Sequence, residues 1–277
     1  MDQGTSRTRD DLTPPTKAKL DPVDPRAKTA VGAKTPNRSD LLICCPLAEE
    51  YHCVRKALAG SAIKEKSIPK DVYAKRNAVY RIGRWRYWVV QTGLGSNTAK
   101  TAAQLMPFID PDAVCLLGFA GAIVPWLRVG QSIEPTYVVS EVENRPLFPS
   151  NLNLSSCRQA MVTIREIAAT EEAKRELHER FDAWAVDMEA FELGVVCEEF
   201  GKPFHVARSI SDASNDVIPI EFAGIVTTSG DLSIKRLAGA LLKKPSLVRS
   251  LMRLWENSGL AKERLHDIVQ RLVNALA

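Results

Sequence analysis

Residues Ala183 to Asp212 read AWAVDMEAFELGVVCEEFGKPFHVARSISD. A short apolar run is followed by a segment with helical periodicity, a Gly201-Lys202-Pro203 break, and a second apolar run. Apolar runs of this length match parallel strands buried on both faces, and α/β proteins place their chemistry at the carboxyl ends of such strands. Glu189 follows the first run and Asp212 ends the second. If both runs are strands of one sheet, Asp187, Met188, Glu189 and Asp212 face one pocket. The competing account is a plain core, with Met188 packed inside it, Glu189 favouring a helix N-terminus by charge, and Ser211-Asp212 capping a helix.

The same pattern extends outward from this stretch. Leu41 to Pro46 (LLICCP) is a buried strand ended by proline, followed by Leu47, Tyr51, Val54 and Leu58 at helical spacing. Glu50 thus falls in the first turn of a helix, where Glu49 and Glu50 also read simply as charges favourable to a helix N-terminus. Val79 to Thr92 is a hairpin turning at Gly83-Arg84. Thr92-Gly93-Leu94-Gly95-Ser96 then leads into a helix, and a Gly-x-Gly loop of this kind lets backbone approach an anion or a ribose. A dinucleotide fold would put GxGxxG after the first strand; that motif is missing there, so no cofactor is expected.

Asp112 to Gly118 is a further buried strand, opening into Phe119-Ala120-Gly121-Ala122, where small residues leave room for a ligand. Ser132 to Ser140 and Ala160 to Ile167 read as strands, Glu141 to Ser155 as a surface loop, and Thr170 to Phe181 as a charged helix. After Asp212 the chain turns loop-like to Asp231, then helical over Ile234–Leu242, Ser246–Asn257 and Leu260 to the end. The last two segments carry leucine-rich stripes and many Lys and Arg residues.

Composition bounds the class. The chain has 277 residues, 45% hydrophobic and 25% charged, with a net charge of +4. That is an ordinary globular balance, and the mild positive charge does not point to nucleic acid. The six cysteines lack a CxxC or Cys-His metal spacing and read as small buried hydrophobes in a reducing compartment; no metal site is expected. Residues 1–39 are Pro-, Lys-, Thr- and Asp-rich and are expected to be a disordered tail with no secretory signal. The longest nearly apolar run, Ala113 to Leu127, falls short of the roughly 18 residues of a spanning helix. A cytoplasmic location is expected. The domain reading is a tail (1–39), a catalytic domain (40–231) and basic amphipathic C-terminal helices (232–277).

Several segments, in this order, resemble the nucleoside phosphorylase and nucleosidase superfamily, specifically its methylthioadenosine/S-adenosylhomocysteine nucleosidase type. They are LAEE around Glu50, TGLGSNTAKTAA, PDAVCLLGFAGA, LRVGQ, VDMEA and SISDAS, spanning about residues 41 to 216. The stretch Ile218 to Leu254, IPIEFAGIVTTSGDLSIKRLAGALLKKPSLVRSLMRL, looks like the hopanoid-associated branch.

The resemblance implies a three-layer α/β/α sandwich around a mixed sheet, with a C-terminal helical extension. It implies cleavage of a ribosyl C1′–N9 bond, releasing adenine from an adenosylated hopanoid in bacteriohopanepolyol synthesis. The alternatives are a soluble methylthioadenosine/S-adenosylhomocysteine nucleosidase, a purine nucleoside phosphorylase, and a non-catalytic nucleoside-binding protein. Asp212 matches the general acid at purine N7, and as an acid it is expected to be protonated. Glu189 matches the carboxylate that binds ribose hydroxyls, and Glu50 the one that activates water. Met188 packs under the sugar, Phe119, Ala120 and Gly121 flank ribose and base, Ser211 supports the acid, and Asp187 belongs to the substrate-binding set.

Two positions depart from the pattern. Relatives commonly carry a small or polar residue at Phe119 and a second glycine at Ala122. Phosphate-using hexameric relatives place Arg and Ser near Leu116 and Phe119; without them water is the expected nucleophile, with Arg165 or Arg208 left as other anion sites. A homodimer is expected, as is peripheral membrane contact through the basic C-terminal helices.

Overall fold

The computed structural model describes residues 38–59, 63–65, 68, 75–143, 145–218, 227, 229–231, 233 and 247–277. The proposed N-terminal tail and the Ile234–Leu242 helix therefore lie outside the described residues, apart from Arg38 and Ser39.

An 11-stranded mixed sheet runs through the molecule. Its strands are β1 (Ser39–Cys45), β2 (Ile63–Glu65), β3 (Asn77–Ile82), β4 (Trp85–Gln91), β5 (Ala113–Ala122), β6 (Ser132–Ile133), β7 (Val138–Ser140), β8 (Pro146–Leu147), β9 (Met161–Thr163), β10 (Ala185–Asp187) and β11 (Phe204–Asp212). The helices are α1 (Ala48–Ala59), α2 (Ser96–Ile109), α3 (Glu171–Phe181), α4 (Ala190–Glu199) and α5 (Leu247–Leu276). The main path is β2-β3-β4-β1-β5-β10-β9-β7-β8, with β11 on β5 and β6 on β11.

Alternation along the central strands sorts the core into two layers. Leu42, Cys44, Val114 and Leu116 face one side with Leu105 and Met106 of α2 and Phe191 and Leu193 of α4. Leu41, Ile43, Cys115 and Leu117 face the other with Val54 and Leu58 of α1 and Leu265, Ile268 and Leu272 of α5. This is the expected three-layer α/β/α arrangement, and its central strands read as apolar runs because both faces are covered. Four of the cysteines (Cys44, Cys45, Cys115, Cys197) are buried thiols within it.

Four expectations need correction. The opening read at Phe119–Ala122 is strand, since β5 continues to Ala122. Ser132–Ser140 is two short strands, with Pro135, which lacks an amide hydrogen, between them. β10 runs antiparallel to β5 rather than parallel. The two C-terminal helices beyond Ser246 are one continuous helix, α5. Gly259 interrupts the pattern but not the helix, because packing outweighs the roughly 1 kcal/mol propensity cost of one glycine. The Leu265, Ile268 and Leu272 stripe is buried against the domain, where the Gln270 side-chain amide also donates to Ala57 O (3.0 Å). Among the described residues no helix is long and apolar enough to cross a membrane.

Candidate active site

β5 organises the site through a gap along one of its edges. β11 occupies one edge from Val114 to Gly121. On the opposite edge β1 pairs through Leu116, and β10 pairs only from Gly121. Into the interval between them comes Glu50 from the first turn of α1. Its Oε1 accepts the Phe119 amide and its Oε2 the Leu47 amide, both at 2.7 Å. The Pro46-Leu47 turn stops β1 and starts α1, so Glu50 is placed by the strand–helix junction itself.

Arg208 of β11 is the hub. It is 0% exposed, and its Nη2 donates to Asp187 Oδ2 (2.6 Å) and Glu189 Oε2 (2.9 Å). Its Nε donates to Asp187 Oδ2 at 3.1 Å, and Nη1 stands 3.9 Å from Glu50 Oε1. Arg208 and Gly118 are registered partners on adjacent strands, so the guanidinium stem crosses over the one residue of β5 with no side chain there. Glu189 completes its bonding by accepting the Gly95 amide (2.8 Å). Gly95 adopts a left-handed φ of 57° at the start of α2, the conformational use that the Gly-x-Gly loop serves.

Asp187 is committed on both oxygens. It accepts from Thr163 Oγ1 (2.7 Å), from Arg208, and from the Ala190 amide at the start of α4. The geometry makes it the residue that holds Arg208 and caps α4. Met188 lies half-buried between these two acids.

Asp212 arrives differently. A register shift after Ile210 sets Asp212 opposite Gly121, and Val186 meets the same Gly121 from the other edge. A bulge of this kind re-aims a side chain. The Ser211 hydroxyl donates to Asp212 Oδ1 (2.8 Å), with Ala120 O (3.3 Å) as the alternative acceptor for its single proton. A Cβ on Gly121 would stand 2.8 Å from Asp212 Oδ2. The small residues at 120 and 121 therefore make room for Asp212. Asp212 Oδ2 also takes a 2.6 Å ion pair from Lys174 of α3, a partner the sequence did not single out.

Most of the residues named from the sequence lie around the C-terminal half of β5. Glu50, Asp187 and Glu189 converge on Arg208, Phe119 contributes its backbone amide, and Ala120, Gly121 and Ser211 surround Asp212. Arg165, the other candidate anion ligand, instead donates its backbone amide to Glu141. Thr163, Gly118 and Lys174 escaped notice. Arg208 had one visible signal, a basic residue directly after the Val206-Ala207 pair in a strand run.

Burial sets the electrostatics. It pushes Glu50 up to about 7 and Glu189 up to about 8, against the pull of Arg208 in each case. Both groups therefore hold protons in the folded chain at pH values where the unfolded chain has released them. Their stabilising contribution is complete below the usual carboxyl range and is lost as pH rises through 7 and 8. The melting temperature should accordingly fall between pH 6 and pH 8.5. Glu50→Gln and Glu189→Gln should each flatten that fall; an unchanged slope in both would contradict the assignment.

Comparison with known proteins bears on the fold and on part of the sequence. Residues 152–241 match the family model described as the phosphorylase superfamily. A 5′-methylthioadenosine/S-adenosylhomocysteine nucleosidase of Shewanella oneidensis is 25% identical over 172 residues, covering 51% of this chain and 73% of the relative. The fold is shared with the Helicobacter pylori 5′-methylthioadenosine/S-adenosylhomocysteine nucleosidase (TM-score 0.63, 16% identity, 86% of this chain and 97% of that one). It is shared equally with the futalosine hydrolase of the same organism (TM-score 0.63, 16% identity, 86% and 97%). The resemblance to the phosphorylase superfamily thus lies in residues 152–241, and the fold is the one shared by these nucleosidases.

Proposed function

We propose that the chain is a purine nucleosidase that hydrolyses the N-glycosidic bond of an adenine nucleoside. The observation that carries this reading is the arrangement of three buried carboxylates, Glu50, Asp187 and Glu189, around the single guanidinium of Arg208. Arg208 is already engaged by Asp187 and Glu189, so a phosphate nucleophile would have to displace them, whereas neutral water needs no counter-cation. Glu50, raised to about 7, is suited to accept a proton from water near neutrality. As the C1′–N9 electron pair passes to the purine, Asp212 gives N7 a proton and Glu189 faces the positive charge growing on the sugar. Water's oxygen bonds to C1′ and its proton goes to Glu50.

The test is adenine release from adenosine, 5′-methylthioadenosine and adenosylhopane, with and without phosphate. Asp212→Asn should cost at least about a hundredfold in kcat, the scale of general acid catalysis. Phosphate-dependent release yielding ribose 1-phosphate products would replace hydrolysis by phosphorolysis. Release unaffected by Asp212→Asn and Glu189→Gln would remove the assigned roles.

The substrate we favour is an adenosylated hopanoid, on the strength of the Ile218–Leu254 stretch and its resemblance to the hopanoid-associated branch. Preference for adenosylhopane over 5′-methylthioadenosine in that assay supports it; the reverse makes the chain a nucleosidase for soluble substrates. Peripheral membrane contact belongs to the same proposal and would fall to the part of the chain before residue 258, because the stripe beyond it is packed on the domain. Flotation with anionic vesicles reads this contact, and sedimentation reads the proposed homodimer.

A further inference from the structure

Lys174 takes no part in the chemistry above, yet it is one of the largest fully buried side chains in the described structure, 1% exposed. It lies on α3, whose other charged residues Glu171, Glu172, Arg175, Glu176, Glu179 and Arg180 are exposed. Ala173, Leu177 and Phe181 form the apolar stripe of that helix against the core. A lysine turned inward beside this stripe is costly unless its charge is matched.

Its match is the acid of the proposed reaction. Nζ carries three donors, and three acceptors surround it: Asp212 Oδ2 at 2.6 Å, Ala213 O at 2.7 Å and Asp216 O at 3.3 Å. Asp212 Oδ1 accepts from Ser211. Asp212 thus stands as an acceptor on both oxygens, and the donor in contact with Oδ2 is the Lys174 ammonium. An acid that must protonate a base is held as an ion pair with a proton one hydrogen bond away.

We propose that Lys174 is the proton reservoir of this acid, acting through Asp212. This rests on the nucleosidase reading. As the C1′–N9 bond breaks, an Nζ–H bond breaks and an Asp212 O–H bond forms. The Asp212 proton passes to N7, leaving a neutral Lys174 amine, a regenerated carboxylate and a neutral purine. Solvent then returns the proton to Nζ. The charged groups on the surrounding elements are Asp216, whose Oδ2 accepts the Ala213 amide (2.8 Å), and the Arg208 cluster with Glu50, Asp187 and Glu189 around β5 and β10. The remaining charges of α3 face solvent.

The experiment compares wild type, Lys174→Met and Lys174→Arg for adenine release from adenosine and 5′-methylthioadenosine between pH 5 and pH 8.5, with folding followed by circular dichroism. At pH 8 Lys174→Met should lose about a hundredfold in kcat, the scale of general acid catalysis, with little change in KM. Towards pH 5 the wild-type to variant ratio should shrink below about tenfold, as solvent protons become abundant enough to replace the missing Lys174 donor. Titration of Glu50 affects both proteins and cancels in the ratio. Lys174→Arg keeps the positive charge but cannot yield a proton, so it should be slow as well, and it carries the test alone if the methionine variant fails to fold. A ratio independent of pH, or a wild-type rate in Lys174→Arg, would overturn the reservoir and leave the nucleosidase reading standing. No adenine release by wild type from either substrate, or from adenosylhopane, would overturn both.

Discussion

Arg208→Met should melt roughly 10 °C below the wild type at pH 8 and release no measurable adenine. Removing one partner from a buried ion pair costs about 3–5 kcal/mol, and in a domain of this size each kcal/mol moves the midpoint by about 2–4 °C. Here one guanidinium serves Asp187 and Glu189 by direct hydrogen bonds and lies 3.9 Å from Glu50. Its loss leaves those acids facing one another without a counter-charge. Protons can replace the missing cation, so the deficit should narrow as pH is lowered towards 5. Arg208→Lys restores charge without the planar fork that reaches two carboxylates at once, and should recover only part of the stability. A methionine variant as stable as wild type across this range would mean that the three carboxyls are already neutral in the folded chain. Circular dichroism melts over pH, alongside adenine release, read both effects.

How far the sequence discloses this arrangement depends on the kind of signal each residue leaves. The central strands are legible because a strand covered on both faces is simply an apolar run, as in Leu41–Cys45 and Ala113–Leu117. Glu50, Glu189 and Asp212 stand where apolar runs end, and that is the position the eye is drawn to. Their grouping is another matter. It depends on β10 and β11 flanking β5 on opposite edges, which is tertiary information, and the antiparallel sense of β10 has no local mark. The bulge between Ile210 and Asp212 is likewise silent in SISD, although it decides which way the acid points.

Lys174 shows the limit most clearly. Within EEAKRELHER it looks like one more charge on a polar helix, and only its place beside Ala173, Leu177 and Phe181 hints that it turns inward. Charged residues are so common on helix surfaces that a single one facing the core is masked by its neighbours. The unbroken α5 is the converse. Gly259 suggests a stop, but Ala261, Leu265, Ile268 and Leu272 are buried, and their packing carries the helix through.

Gly118→Ala should cost about 1–3 kcal/mol as an overpacking substitution. Its larger effect should be on turnover, about a hundredfold, since misplacing a reacting group by an ångström has that scale. A Cβ at Gly118 would stand 2.3 Å from Glu50 Oε1, 2.6 Å from Glu50 Cδ and 2.5 Å from Arg208 Nη1. Relief by backbone movement is blocked because β5 is held by β11 through this residue, with β1 pairing just before it. One of the two side chains must therefore move. If Glu50 yields, it leaves the Phe119 amide and kcat falls with substrate affinity largely retained. If Arg208 yields, the Asp187 and Glu189 bonds loosen and the melting temperature drops with it. Gly259→Ala is the matched control. That glycine lies on exposed α5 with nothing within 4 Å of an added Cβ, so it should be neutral or gain up to about 1 kcal/mol from helix propensity. Melting curves and steady-state kinetics on the two variants separate the outcomes. A Gly118→Ala protein with wild-type kcat and melting temperature would show that neither Glu50 nor Arg208 is held where the proposed chemistry requires it.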